Sequence, residues 1–133
     1  MKEEIKALAQ YRISRAKETF KDALSLLQKG SLISAVNRFY YATFYAARAL
    51  LATKELDSSK HSGVISLFQK QFVKTGVVNI DISKAFPRIF ERRIDTDYED
   101  FVQLTREEVE STKSQTSRFI QECERAFKEL LLK

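Results

Sequence analysis

Apolar residues recur every three or four positions along most of this chain. Ile5, Leu8, Ala9, Ala16, Phe20, Ala23 and Leu27 keep that spacing, with Arg12 in the same register. The pattern predicts a helix over residues 2–29, and Gly30 is placed to end it. Ser31 or Ser34 can cap a second helix running to about residue 55. Its apolar residues, among them Val36, Phe39, Tyr40, Phe44 and Leu50, cover most of the circumference, so 35–51 is expected to be the central, most buried segment. Residues 56–59 read as a loop. A third helix over 60–75 presents Val64, Ile65, Leu67, Phe68 and Phe72 and ends at Gly76. The β-branched stretch 77–81 has no second strand to pair with. A fourth helix over 82–94 carries Phe86, Ile89 and Phe90, and Pro87 within it demands a late start, a loose first turn or a kink. Residues 95–104 read as a loop. Thr105 and Glu108 then have the spacing of a capping box, opening a last helix to about 131 with Val109, Thr112, Thr116, Phe119, Cys123, Ala126, Phe127 and Leu130 inward. The prediction is an all-α antiparallel helical bundle, four long helices plus one shorter, forming one domain over residues 1–133.

Composition narrows this picture. Three glycines and one proline in 133 residues mean few turns and long elements. The single Cys123 rules out an internal disulfide and a cysteine-based zinc site, and it reads as a buried small hydrophobe. With no long apolar run and no leader-like N-terminus, a cytoplasmic setting is expected. The net charge of +5 is uneven: residues 1–90 carry +8 and residues 91–133 carry −3. A basic surface of that size suits a nucleotide, a nucleic acid or an acidic protein partner. The aromatic content of 11 % leaves more large apolar side chains than one small bundle need cover, so a homodimer is expected.

The candidate chemistry starts in the second helix. Arg38, Tyr41, Tyr45 and Arg48 are spaced 3, 4 and 3 apart and share one helix face. Guanidinium donors and π faces on one stripe suit a phosphate, a base or a partner subunit. The same stripe also fits a central helix whose polar tips are satisfied inside the bundle. His61, the one histidine, falls at a predicted helix N-terminus, where free amides attract anions; it equally fits a capping residue. Glu91, Arg92 and Arg93 precede an acidic run, and Arg93 and Asp97 can pair four residues apart. The carboxylates Asp95, Asp97, Glu99 and Asp100 come without a glycine-centred calcium loop or histidine ligands, so neither a metal nor another cofactor is expected.

Taken in order, Asn37-Arg38-Phe39-Tyr40-Tyr41-Ala42, Ala46-Ala47-Arg48-Ala49-Leu50-Leu51, Lys60-His61-Ser62-Gly63-Val64 and Arg93-x-x-x-Asp97-Tyr98 resemble the HEPN (higher eukaryotes and prokaryotes nucleotide-binding) family, in its small stand-alone prokaryotic form. The resemblance spans nearly the whole chain. It implies a five-helix, often dimeric domain whose partner is often a minimal nucleotidyltransferase, many such pairs being toxin–antitoxin systems. It also implies that Tyr98 can present its hydroxyl to that partner as an acceptor. Other members are metal-independent ribonucleases marked by an Arg-x(4–6)-His motif. That motif is absent: Lys54, Glu55 and Leu56 stand where an arginine would precede His61, and Asp97 stands where a histidine would follow Arg93. RNA cleavage through the 2′-hydroxyl needs a base and an acid, roles a histidine fills near neutral pH. An aspartate beside an arginine is a weak base and no acid there.

The sequence therefore assigns no catalytic residue. It assigns nucleotide or partner binding to Arg38, Tyr41, Tyr45, Arg48, His61, Arg93, Asp97 and Tyr98. The expected role is an accessory, nucleotide-binding subunit of a small nucleotidyltransferase. The alternatives are a ribonuclease pairing His61 with Arg38 or Arg93, and a structural dimer without a ligand.

Overall fold

The computed structural model describes all 133 residues, and every regular element in it is helical. Helix α1 (Glu3–Gln28) turns back at Gly30 into α2 (Leu32–Thr53). Gly30 has φ +79°, and around it Ser31 N–H bonds the Leu26 carbonyl at 2.9 Å while Gly30 N–H bonds Leu27 at 3.0 Å. Those two bonds satisfy carbonyls that the helix end would otherwise leave bare. Ser31 precedes α2, but its side chain makes no capping bond.

Helix α2 is the middle of the bundle. Thirteen of its 22 residues are buried, with Phe39, Ala46 and Leu50 fully enclosed. Helices α1, α3 (His61–Phe68), α5 (Ala85–Tyr98) and α6 (Arg106–Leu131) all pack on it. The inward stripe of α1 is Ala9, Ile13, Ala16, Thr19, Ala23 and Leu27; Leu8, expected inside, is exposed, because its face lies outside the α1–α2 contact. α3 continues as a π-helical segment, Gln69–Val73, before Gly76 turns the chain at φ +79°. One helical turn, α4 (Ile80–Ser83), leads into α5, with the Asn79 side chain accepting from Ile82 N–H. Pro87 is the third residue of α5. It falls in the first turn, where its missing N–H costs no internal bond, so the loose start is the outcome the proline imposes.

The fourth helix is longer than its apolar pattern indicates. The expected 82–94 segment runs on to Tyr98, and the loop is correspondingly shorter. An Arg93–Asp97 pair at 2.9 Å and a Thr96 Oγ1 bond to the Arg93 carbonyl support the extra turn. At the start of α6, Thr105 accepts from Glu108 N–H at 3.0 Å. The return half of the capping box is missing because Glu108 binds Arg92 of α5 at 2.7 Å instead. That ion pair ties α5 to α6.

Six fully buried aromatics, Tyr40, Phe68, Phe72, Phe86, Phe119 and Phe127, belong to the main core. Phe86 lies 5.6 Å from Phe119, 6.0 Å from Phe68 and 6.3 Å from Tyr40, ring centre to ring centre. Cys123 is enclosed in the same core, and burial pushes its thiol well above the usual range. No helix is long and apolar enough to cross a membrane.

The end of α2 repeats the Gly30 turn with a different residue. Leu56 N–H bonds Leu51 at 3.1 Å and Glu55 N–H bonds Ala52 at 3.0 Å, but the left-handed position, φ 55°, belongs to Glu55. A side chain there strains the backbone, and glycine relieves it at some cost in unfolded-chain entropy. Glu55→Gly is expected to stabilise the protein by about 0.5–1 kcal/mol. A urea-unfolding midpoint that moves down in the variant refutes this.

Candidate anion-binding face

The 3-4-3 spacing in α2 leaves Arg38, Tyr41, Tyr45 and Arg48 half-exposed on a helix otherwise mostly buried. Neighbouring elements add further polar groups to that face. α1 contributes Arg12 and Arg15, α5 contributes Arg93 and Asp97, the first turn of α3 contributes His61, and the loop before it contributes Asp57.

Each arginine is held over an aromatic ring or by a polar partner. Arg15 donates to the Tyr45 hydroxyl at 3.1 Å and lies 4.9 Å from the centre of that ring. Arg38 forks onto the side-chain oxygen of Asn37 at 3.2 and 2.9 Å and lies 4.9 Å from the Tyr41 ring centre. Its charge thus faces a neutral amide and a π cloud, with no carboxylate against it. Arg48 forks onto Asp57 at 3.3 and 2.7 Å. Arg12 donates to the Arg48 carbonyl at 3.1 Å and approaches Asp57 to 3.9 Å. Burial acts to raise the Asp57 carboxyl, but the Arg48 and Ser58 hydrogen bonds and the charges of Arg48 and Arg12 outweigh it and hold it below its ordinary value.

Arg93 spans the rings of Tyr40 and Tyr41, 5.2 and 5.4 Å from their centres. Its Nε lies 2.9 Å from Asp97, yet the approach is off-axis and the enclosed N–H has no aligned acceptor. Its Nη2 reaches the Tyr41 hydroxyl at 3.4 Å, a weak bond. Arg93 points toward the α2 stripe, as its sequence position suggests. It does so from inside α5 and not from its end, since the helix continues to Tyr98.

His61 lies in an aromatic box. Its ring stacks on Phe44 at 4.5 Å and on Tyr40 at 5.6 Å, and meets Tyr41 edge-on at 5.8 Å. Its Nδ1 is 2.9 Å from the Tyr40 hydroxyl. Burial, then the positive charges of Arg93 and Arg48, lowers its pKa from the ordinary 6.5. Gly63 lets this corner close: a Cβ there would overlap the Ser58 hydroxyl. The loop therefore folds against the first turn of α3, and Ser58 N–H bonds Asp57 at 2.8 Å, presenting that carboxylate to Arg48.

The fold brings Arg38, Tyr41, Tyr45, Arg48, His61, Arg93 and Asp97 onto one face. Tyr98 stands apart, 78 % exposed at the end of α5. Arg92, next to Arg93, turns the other way onto Glu108 and the Gln103 carbonyl. Sequence reasoning missed four members. Arg12 and Arg15 left a signal, a cation in the apolar register of α1 and another three residues on. Tyr40 reads as core, and Asp57 as an ordinary loop residue. In all, five arginines and a histidine share the face with two carboxylates, a surplus of positive charge in a setting that supplies planar donors for a phosphate.

The sequence model of the HEPN domain matches residues 9–126. A "UPF0332 protein" of Thermotoga maritima is 42% identical over 92% of this chain and 93% of its own length. Two proteins of Methanocaldococcus jannaschii are also similar. "Putative toxin MJ0605" is 35% identical over 98% of this chain and 94% of its own length, and "Putative toxin MJ0142" is 33% identical over 74% and 67%. The match takes in α2, His61 and α5, the elements that build the basic face, and the chain belongs to the HEPN domain family.

Proposed function

We propose that this chain is the toxin-type HEPN subunit of a two-component system, binding a phosphate-bearing ligand without hydrolysing it and partnering a minimal nucleotidyltransferase in the cytoplasm. The observation that carries the reading is the gathering of Arg12, Arg15, Arg38, Arg48, Arg93 and His61 on one face against only Asp57 and Asp97. The names of the two archaeal relatives favour the toxin setting. The exposed Tyr98, clear of the binding face, favours a role as acceptor for the partner enzyme. Exposed Leu8 and Tyr11 on α1, the latter against Arg15, favour a second copy packing beside the face. Asp97, in the place of a catalytic histidine, is bound to Arg93 and serves to hold it.

A second reading, metal-independent ribonuclease action by His61 with Arg93, is favoured by one observation: both residues border Tyr40 and Tyr41. One set of measurements separates the two. A labelled nucleotide is titrated at several salt concentrations, RNA is incubated with the protein in chelator, and the protein is incubated with a minimal nucleotidyltransferase and ATP. The expected results are binding that weakens steeply with salt, intact RNA, and a mass increase located on Tyr98. Chelator-resistant RNA cleavage that disappears in His61→Ala establishes the second reading and removes the first.

A further inference from the structure

The Tyr40 hydroxyl decides what His61 can do. Tyr40 is 0% exposed, and its hydroxyl has a single partner, His61 Nδ1 at 2.9 Å. Burial drives the phenol pKa up, so the proton stays on the oxygen. Two arrangements satisfy that contact. If His61 donates through Nδ1–H, the phenolic hydrogen is left enclosed with no acceptor, which is costly. If Tyr40 donates, every enclosed polar group in the pair is satisfied. Nδ1 then carries the lone pair, and the hydrogen of the neutral ring is on Nε2. That nitrogen has no hydrogen-bond partner in the protein and is not sealed from solvent.

We infer that Tyr40 fixes His61 as the Nε2–H tautomer, making His61 a hydrogen-bond donor that works with Arg93 to seat a phosphoryl oxygen and takes up a proton as the anion binds. The inference rests on the phosphate-binding reading above and specifies how that site is regulated.

The charged groups around the ring set the direction of the coupling. From α2 come Arg48, paired with Asp57 of the α2–α3 loop, and the phenols Tyr40 and Tyr41. From α5 comes Arg93, paired off-axis with Asp97. From α1, Arg12 reaches Arg48 and Asp57 and not the imidazole. With the face empty, the two arginines nearest the ring oppose a third positive charge. An anion seated between Nε2 and Arg93 cancels that opposition. The imidazolium then forms more easily; Nδ1–H donates to the Tyr40 oxygen, and the attraction between ring and anion offsets the cost of leaving the phenolic hydrogen without its acceptor. Binding therefore strengthens as pH falls through the His61 titration.

His61 is the one histidine in the chain, so its ring nitrogens are assigned by nitrogen-detected NMR without any substitution. In alkaline buffer the wild type is expected to show hydrogen on Nε2 and none on Nδ1. Binding is read with the dinucleotide UpU, whose phosphodiester keeps one charge across the range, and in parallel with AMP, which tells a backbone phosphate from a terminal one. UpU is expected to bind about tenfold tighter at about pH 5 than at about pH 8, whereas AMP, whose phosphate itself takes up a proton at about pH 6, is compared with UpU at a single alkaline pH. His61→Gln, which keeps a donor but cannot titrate, is expected to bind with that pH dependence lost.

An Nδ1–H tautomer in the wild type overturns the inference and leaves the binding reading intact. So does binding whose strength is independent of pH, or that leaves the His61 resonances unmoved. Absence of any binding of UpU or AMP to the face overturns both. Chelator-resistant cleavage of UpU that disappears in His61→Ala makes His61 a base and overturns the donor role.

Discussion

Phe86→Ala is expected to remove about 3–5 kcal/mol of stability. The ring is 0% exposed and lies within 5.6–6.3 Å of Phe119, Phe68 and Tyr40, so it joins α5 to α6, α3 and α2 at once. Truncation takes that apolar surface away and leaves a cavity bounded by three other large rings, which cannot all move in to close it. A domain of this size has about 5–15 kcal/mol in total, so the variant stands near the edge of folding. Chemical denaturation measures the loss, and Phe86→Leu provides the comparison at about half of it or less. A loss below about 1 kcal/mol in the alanine variant would mean that α5 is held mainly by its Arg92–Glu108 ion pair with α6. The functional cost follows from the same geometry, because α5 carries Arg93 and Asp97 to the face.

Arg93→Ala is expected to weaken binding of a phosphate-bearing ligand by about ten- to a hundredfold, as befits the loss of charge-assisted hydrogen bonds. Stability is expected to fall as well, by about 1 kcal/mol. The side chain is 17% exposed, covers the rings of Tyr40 and Tyr41, and holds Asp97. Truncation uncovers those rings and leaves the carboxylate without its partner. Arg93→Lys keeps the charge and loses the planar fork, so it is expected to recover part of the affinity. Isothermal titration with a nucleotide, set beside thermal unfolding of the same variants, separates the two effects. An alanine variant that loses stability but binds as the wild type does would assign Arg93 to loop anchoring alone.

The helices were legible because their signals are local. Gly30, Gly76 and Thr105 act through bonds to residues a few positions away, and the apolar stripes of α2 and α6 recur within single turns. The end of α5 was less legible: residues 95–98 lack a strong apolar repeat, and the turn is supported by the Arg93–Asp97 pair and the Thr96 bond. Glu108 shows the same limit from another side. Its spacing from Thr105 marks a capping box, but an arginine on another helix takes its carboxylate, which no short-range pattern encodes. The basic face was half legible. Residues on one helix announce themselves by spacing, as Arg38, Tyr41, Tyr45 and Arg48 do. Arg12, Arg15 and Asp57 join them only through the packing of α1 and the fold-back of the loop, and Tyr40 gains its role through one hydroxyl that a reading of hydrophobicity overlooks.

The enclosed Cys123 gives this molecule a clock. It is the one sulfhydryl in the chain, it lies at 0% exposure, and its suppressed ionisation makes it inert while the bundle is shut. A thiol reagent added to the folded protein therefore waits for an opening that carries α6 away from the core. When reclosing outpaces labelling, the pace of modification reports the fraction of molecules that stand open at equilibrium in native buffer, with no denaturant and no introduced probe. Any ligand that prefers the closed form slows that clock by the factor with which it stabilises the bundle, so occupancy of the basic face can be timed from a core residue of α6, by chemistry that never touches the ligand.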